Sequence, residues 1–326
     1  MIITRTPFRV SFLGGGTDIP WFYENHGGGA VISTAIDRYM YLSAHPMFAN
    51  DDLLLKYSAT ELVKSAADLR HPIAREVLVK HDVRGLDISV SADIPAGTGL
   101  GSSSAFTVGL TQLVHASQGR FISKASLANE ACHIELDLLK EPIGKQDQYA
   151  SAFGGVNLYS FLPNGQVDVT PLVLDSDSID WLNSSMVLVR VGSTSRSASD
   201  ILRHQGEAAK KEQSIVRSLS GLRDLTLSSF PEIQADITRL GEFLNESWEL
   251  KKASSPSATS AVIDSMIEVG LRNGALGAKL LGAGQGGFVL FLVNPSKSQN
   301  LLQAFKGAVS LRVETDQTGS CVVYYK

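Results

Sequence analysis

Apolar positions along this chain change their spacing several times, and each change predicts a different element. Phe8, Val10 and Phe12 alternate with Arg9 and Ser11, the two-residue period of a strand, and Gly14, Gly15 and Gly16 end the run. Val31, Ile32, Ile36, Tyr39 and Tyr41 continue β-rich sequence, and Leu86 to Val90 predicts another short strand. From Ser103 to Ser117 the spacing becomes helical. Phe106, Leu110, Leu113 and Val114 recur on one face, and Gly119 stands where a helix would stop. Leu127, Ala131, Ile134 and Leu138 form the stripe of a second helix over Ala125 to Leu139.

The second half predicts helices near Ala198 to Leu219, Glu232 to Lys251 and Val262 to Asn273, with a Ser/Pro-rich stretch at Ser254 to Ser260. Strands are predicted from Met186 and over Phe288 to Val293. Helices and strands mix without regular βαβ alternation, so the expected class is α+β. The polar run Ser176 to Ser185 reads as a domain boundary, giving domains at 1–180 and 181–326.

Composition narrows the function. A chain of 326 residues suffices for two domains sharing a cleft, and 44% hydrophobic with 19% charged residues fits a folded globular enzyme. A formal charge of -4 provides no broad basic field for a nucleic-acid backbone, so phosphate recognition must be local. The apolar runs Val187 to Val191 and Val289 to Val293 are strand-length, far short of a bilayer span, and no membrane role is expected. No sustained apolar core follows Arg5 and Arg9, so no signal peptide is expected. Cys132 and Cys321 lie far apart and suggest neither a zinc site nor a disulfide framework. A reduced, cytoplasmic compartment is the simplest expectation.

The segment Asp93-Ile-Pro-Ala-Gly-Thr-Gly-Leu-Gly-Ser-Ser-Ser-Ala105 carries the most chemistry. Gly97, Gly99 and Gly101 let the backbone turn tightly and approach a ligand. Ser102, Ser103 and Ser104 then open an amphipathic helix, whose free N–H groups and dipole suit a phosphate chain. Serine hydroxyls there also suit Mg2+, a hard cation that favours oxygen. An ordinary serine-capped turn is the plainer alternative. No Gly-Lys-Ser/Thr follows at the interval a Walker A loop requires.

Two other motifs mislead. Gly282-Ala-Gly-Gln-Gly-Gly287 fits the dinucleotide fingerprint, which needs a strand before it and a helix after it; here a helix is predicted before and a strand after. His26-Gly-Gly-Gly29 matches a hydrolase oxyanion loop, but the chain has no Gly-x-Ser-x-Gly elbow.

The stretch from Pro95 to Ser104, with its Gly99-Leu-Gly-Ser-Ser103 centre, resembles the second signature of GHMP kinases. Thr6-Pro-Phe-Arg-Val-Ser-Phe-Leu-Gly-Gly-Gly-Thr-Asp18 resembles the first, and Lys279-Leu-Leu-Gly-Ala-Gly-Gln-Gly-Gly-Phe288 the third. The three stand in the family's order between residues 6 and 288. The resemblance implies a ribosomal S5-like N-terminal domain joined to a ferredoxin-like C-terminal domain, with ATP and Mg2+ bound between them. It assigns Pro95, Gly97, Gly99, Leu100, Gly101, Ser102, Ser103 and Ser104 to the nucleotide, and Gly284 to packing beside the substrate.

The resemblance also implies roles for two carboxylates. Glu135, on the predicted second helix, would ligand Mg2+ with Ser103. Asp147, in the polar loop Gly144-Lys-Gln-Asp-Gln148, would be the base toward the accepting hydroxyl, with Arg9 steadying the developing charge. Residue type alone favours a solvated helix face for Glu135, with Glu130 and Asp137, and allows Asp147 to be a solvated loop residue.

Asp18 matches the position that contacts a sugar hydroxyl in galactokinase-like members, or it caps its own turn. Their Gly-Glu-His-Thr-Asp is Gly14-Gly15-Gly16-Thr17-Asp18 here, which removes two polar side chains. This departure, with His71-Pro-Ile-Ala-Arg-Glu76 and Gly192-Ser-Thr-Ser-Arg196-Ser, is similar to the branch that takes heptose 7-phosphate or fucose. It implies phosphorylation of the anomeric C1 hydroxyl of a small-molecule sugar phosphate. Arg196 would hold the distal phosphate, with Arg5 and Lys145 as weaker choices. A kinase of an unphosphorylated sugar and a non-catalytic sugar-binding regulator are the alternatives. Oligomeric state is not legible.

Overall fold

A computed structural model describes residues 1–48, 50–192, 212–255, 258–282, 284 and 286–326. The chain opens with a long antiparallel pair, β1 (Ile2–Leu13) and β2 (Gly29–Pro46), in which Arg9 lies opposite Ala35. The short strands β3 (Leu53–Lys56), β4 (Thr60–Val63) and β5 (Leu86–Ala92) extend one flank of β2. A branch from β2 carries β6 (Val156–Phe161) and β7 (Val167–Pro171).

A second sheet holds β8 (Met186–Val191), β9 (Ala275–Leu280), β10 (Gly287–Val293) and β11 (Ser310–Arg312), ordered β11-β8-β10-β9. That order, with helices after β8 and after β10, is the ferredoxin-like arrangement. The last strand, β12 (Cys321–Tyr325), returns to the first sheet and pairs with β1. Fully buried Phe8, Val10 and Phe12 share one apolar core with Leu188, Leu290 and Leu292 of the second sheet. The class is α+β, in agreement with the sequence.

Helices fill the connections: α1 (Pro20–Tyr23), α2 (Pro72–Lys80), α3 (Ser102–Ser117), α4 (Lys124–Cys132), α5 (Gln146–Phe153) and α6 (Ser176–Ser185). After β8 come α7 (Gln213–Ala235), α8 (Leu240–Ser254) and α9 (Ala261–Arg272), and α10 (Ser298–Ala304) follows β10. Among the described residues no helix is long and apolar enough to cross a membrane.

Several expectations need correction. The second predicted helix stops at Cys132, and His133–Leu138 continues it as a π-helix. The polar run read as a domain boundary forms α6, started by the Asp175 side chain accepting from Ser178 N. A single helix over Glu232 to Lys251 is interrupted, because Asp236 turns extended and caps Thr238 N, ending α7 and leading into α8. Residues 198–211 of the helix predicted before it lie outside the described residues; from Gln213 it runs on through Pro231. The glycine-rich loop at Gly282 joins two strands, β9 and β10, rather than a helix and a strand. The strand that a dinucleotide fingerprint needs does precede the loop, so its exclusion rests on the missing following helix alone.

Candidate active site

The N-terminus of α3 lacks the cap that its neighbours possess. Ser123 caps α4 by accepting from Ser126 N, and Ser260 caps α9 by accepting from Ile263 N. Residue Gly101 stands at the cap of α3, left-handed at φ 78°, with no side-chain hydrogen bond and no acidic residue in the first turn. Among the described residues nothing partners the first amides of this sixteen-residue helix, and the positive end of the dipole stands behind them. Such a terminus suits a phosphate.

Arg9 and Asp147 meet at this point. Arg9 donates from Nε and Nη2 to Asp147 Oδ1 and Oδ2 at 2.7 and 2.8 Å, a bidentate fork, and from Nη1 to the Gly99 carbonyl at 2.5 Å. Its own amide donates to the Leu100 carbonyl at 3.1 Å, so β1 and the glycine loop are tied twice. A Cβ on Gly101 would stand 3.1 Å from Asp147 Oδ2 and 3.3 Å from Arg9 Cγ, so the left-handed glycine lets the carboxylate approach the helix end. Asp147 occupies the first turn of α5 instead of the expected polar loop. The Arg9 side chain is 5% exposed and that of Asp147 22%, which leaves the carboxylate reachable.

Glu135 lies on the π-helix and is 1% exposed, not on a solvated face. Its Oε1 accepts from Ser103 Oγ at 3.2 Å and Thr107 Oγ1 at 2.9 Å; its Oε2 accepts from Ser104 Oγ at 2.8 Å and from Gln148 Nε2. Burial pushes its pKa up, against the pull of the Ser104, Gln148 and Thr107 hydrogen bonds. The extra residue of a π turn re-aims the side chain toward α3, a use common at functional sites. Ser103 itself is exposed and makes the longest of these contacts. A buried carboxylate lacking a neighbouring cation, beside a weakly held hydroxyl at a phosphate-ready terminus, is a donor set that fits Mg2+. Its two nearest rivals differ sharply. Asp137 is solvated, whereas Glu130 accepts from His81 Nε2 at 2.6 Å and His115 Nε2 at 2.9 Å. Arg120 Nη2 donates to His81 Nδ1, which leaves the proton on the nitrogen facing Glu130. That cluster is a hydrogen-bonded strut between α2, α3 and α4.

Asp18 is 2% exposed, and both its oxygens accept backbone amides, Gly16 N at 2.9 Å and Gln146 N at 3.2 Å. Burial, and then the charge of Asp147, raise its pKa. It thus joins the first glycine run to the turn entering α5. Two lysines from the second half of the chain reach the same place, and neither was foreseen. Lys251 of α8 donates to the Gly15 carbonyl at 3.2 Å, and Lys279 of β9 to the Phe12 carbonyl at 2.9 Å. Burial lowers both ammonium pKa values, that of Lys279 to about 7 with the help of Lys251 and Arg9. Lys279 stood within the third signature; Lys251 sits in no motif, and a lysine pair ending a helix reads as ordinary dipole chemistry. Thr107 and Gln148 were also missed as partners of Glu135, although Thr107 lies one helical turn after Ser103.

Other expected residues fall as follows. Gly99 packs its backbone on the third loop, where a Cβ would stand 2.6 Å from the Leu281 carbonyl. Leu100 is a core residue, 1% exposed, that contributes its carbonyl and not its side chain. The Pro95 carbonyl accepts from Thr98 Oγ1 at 3.1 Å, and Gly97 is exposed. Gly284, at φ 116°, rests against Ala258. Arg196 lies outside the described residues. Arg5 is paired with Asp316 at 3.7 Å, and Lys145 donates to the Gly165 carbonyl at 2.6 Å, so both alternatives to Arg196 are engaged elsewhere.

The chain is similar to known proteins in both halves. The model described as GHMP kinases N terminal domain matches residues 57–155, and that described as GHMP kinases C terminal matches residues 229–310. The chain is 29% identical over 317 residues to D-glycero-alpha-D-manno-heptose 7-phosphate kinase of Campylobacter jejuni, covering 94% of this chain and 93% of that one. It is 27% identical over 306 residues to mevalonate kinase of Pyrococcus horikoshii, covering 93% and 83%. Its fold matches the crystal structure of a D-glycero-D-manno-heptose 1-phosphate kinase from Bacteriodes thetaiotaomicron at TM-score 0.81, with 22% identity and 100% of both chains covered. It also matches Lactococcus lactis galactokinase complexed with galactose at TM-score 0.75, with 18% identity over 99% and 95% of the chains. With these two family models spanning more than half of its length, the chain belongs to the GHMP kinase family of phosphotransferases.

Proposed function

We propose that this enzyme transfers the γ-phosphoryl group of ATP to the anomeric C1 hydroxyl of a D-glycero-D-manno-heptose 7-phosphate, giving the 1,7-bisphosphate. One observation carries the chemistry: the Arg9–Asp147 fork stands against the uncapped N-terminus of α3. The loop Pro95 to Ser104 holds the phosphates of ATP on the outward amides. Asp147 keeps a lone pair on each oxygen beyond the Arg9 fork, and one of them takes the proton of the sugar hydroxyl as it attacks. Arg9 orients that carboxylate and balances charge at the reacting oxygens. Ser103 and Glu135 would hold Mg2+, which when bound neutralises phosphate charge. Asp18 fixes the Gly144–Gln148 turn and has lone pairs left for a sugar hydroxyl. Gly284 lines the same side.

The acceptor assignment draws on similarity to the heptose 7-phosphate kinase of Campylobacter jejuni. We divide the protein into domains 1–180 and 181–326, with β12 crossing back to the first. Unpaired Cys132 and Cys321 agree with a reduced cytoplasmic setting. The test is ATP-dependent turnover on heptose 7-phosphate, mannose, fucose, galactose and mevalonate, with the product read by phosphorus NMR. A new anomeric phosphate on heptose 7-phosphate alone is the expected result. Turnover of fucose in its place overturns the acceptor, and ATP binding with no turnover on any acceptor overturns the kinase reading in favour of a sugar-binding regulator.

A further inference from the structure

The glycine run at Gly14 lacks two polar side chains, and at one of those positions, Gly16, a lysine from the other half of the chain comes close. Lys251, near the end of α8, extends across to β1's trailing loop and places Nζ 3.2 Å from the Gly15 carbonyl. A Cβ on Gly16 would sit 3.1 Å from that ammonium, and Gly16 has φ 104°, so glycine here admits the lysine. Gly15 and Gly16 are thus one wall of a seat for a cation.

The charges around it are already matched. Arg9 is locked to Asp147, and Lys279 donates to the Phe12 carbonyl. Asp18, the carboxylate that acts on Lys251 through space, has its oxygens on the amides of Gly16 and Gln146. Among the described residues the Gly15 carbonyl is the one hydrogen-bond partner of Lys251 Nζ, and two of its three donors remain. The residue as a whole is half-buried, and desolvation of the ammonium lowers its pKa, so those donors act in a medium of reduced dielectric. An ammonium with spare donors, beside a carboxylate that is otherwise engaged, fits an anionic oxygen. The nucleotide's phosphates have their own seat at α3, whereas Lys251 lies on the Asp18 side.

We infer that Lys251 grips the distal phosphate of the acceptor sugar and selects phosphorylated over unphosphorylated sugars. This rests on the proposed acceptor and gives Lys251 the task that sequence reasoning gave to Arg196.

The experiment compares kcat/KM for heptose 7-phosphate and for unphosphorylated heptose in wild type, Lys251→Met and Lys251→Arg, after circular dichroism and ATP titration confirm folded protein. Loss of one charged contact predicts a fall of about 10- to 100-fold on the phosphorylated sugar in Lys251→Met. The unphosphorylated sugar should change less than about threefold, and Lys251→Arg should restore part of the preference. Lys251→Gln replaces Lys251→Met should the latter not fold. An equal fall on both sugars makes Lys251 a support of the Asp18 loop and overturns the inference. A wild type that favours the phosphorylated sugar, with the preference kept in Lys251→Met, overturns it while sparing the proposed acceptor. A wild type indifferent to the distal phosphate overturns both.

Discussion

Replacing Arg9 tests the core of the proposed chemistry. The side chain makes three contacts, two to Asp147 at 2.7 and 2.8 Å and one to the Gly99 carbonyl at 2.5 Å. A lysine keeps the positive charge but reaches one acceptor at a time, so Arg9→Lys loses the fork. Contacts to charged groups contribute about 1.5–3 kcal/mol each, and the lower figure applies because Asp147 is 22% exposed and regains water. Losing the fork should therefore cost about 2 kcal/mol of transition-state stabilisation, ~30-fold in kcat. Arg9→Met also removes the charge, for about 4 kcal/mol or ~1000-fold. The assay is steady-state ADP release with both substrates varied. KM for ATP should move little, because the α3 amides are untouched. A double-mutant cycle with Asp147→Asn should show coupling of about 2 kcal/mol in kcat. An Arg9→Met enzyme that folds normally and keeps kcat within about fivefold of wild type would refute the reasoning, since two orders of magnitude are at stake.

Three further outcomes follow from the same geometry. Burial raises the Glu135 pKa, so in the metal-free protein its stabilising effect is present below the ordinary carboxylate value and is lost as pH rises through the raised one. Glu135→Gln should melt no lower than metal-free wild type near neutral pH, lose about 100-fold or more in kcat and lose the stabilisation by Mg2+ seen in thermal melts; full retention of that stabilisation would exclude it as a ligand. Lys279 falls from 10.5 to about 7, so the unfolded chain binds more protons between these values. Wild-type stability relative to Lys279→Met should rise with pH across that window, by up to about 5 kcal/mol, and parallel urea-unfolding profiles would contradict this. Gly99→Ala forces a Cβ to 2.6 Å from the Leu281 carbonyl at φ 82°, and should cost about 2–3 kcal/mol of stability and weaken ATP binding; wild-type calorimetric titration would show the two loops free to part.

How much of this was legible in the sequence depended on the physical origin of each feature. Local period gave α3 and α9 to within a residue at each end, whereas it marked only the Phe8–Phe12 stretch of β1 and not its start at Ile2. Polarity hid the N-capped helix at Ser176, and at Asp147 it misled, where Gly144 and the polar neighbours concealed the first turn of α5. The π-helix carrying Glu135 left no mark, since the stripe Leu127, Ala131, Ile134 and Leu138 fits an unbroken α-helix. The bare cap of α3 was visible only in part. Three serines advertise a capped helix, yet the residue at the cap is Gly101, and the serines turn inward and outward by different amounts: Ser104 is buried on Glu135, and Ser103 is exposed.

The two lysines show where reading from one chain segment stops. A strand or helix period is a property of neighbours in sequence, but the seat of Lys251 is made by residues more than two hundred positions away in the glycine run. Lys251 follows Leu250 and precedes Lys252, a context in which an ammonium ordinarily points to water. Its placement depends on the packing of α8 against β1, which no local pattern encodes. Conversely, Gly15 and Gly16 looked like the loss of two side chains when read alone, and in three dimensions Gly16 is a space that another side chain approaches. A side chain at Gly16 should crowd the ammonium without expelling it, because its Cβ would stand 3.1 Å from the flexible tip of Lys251.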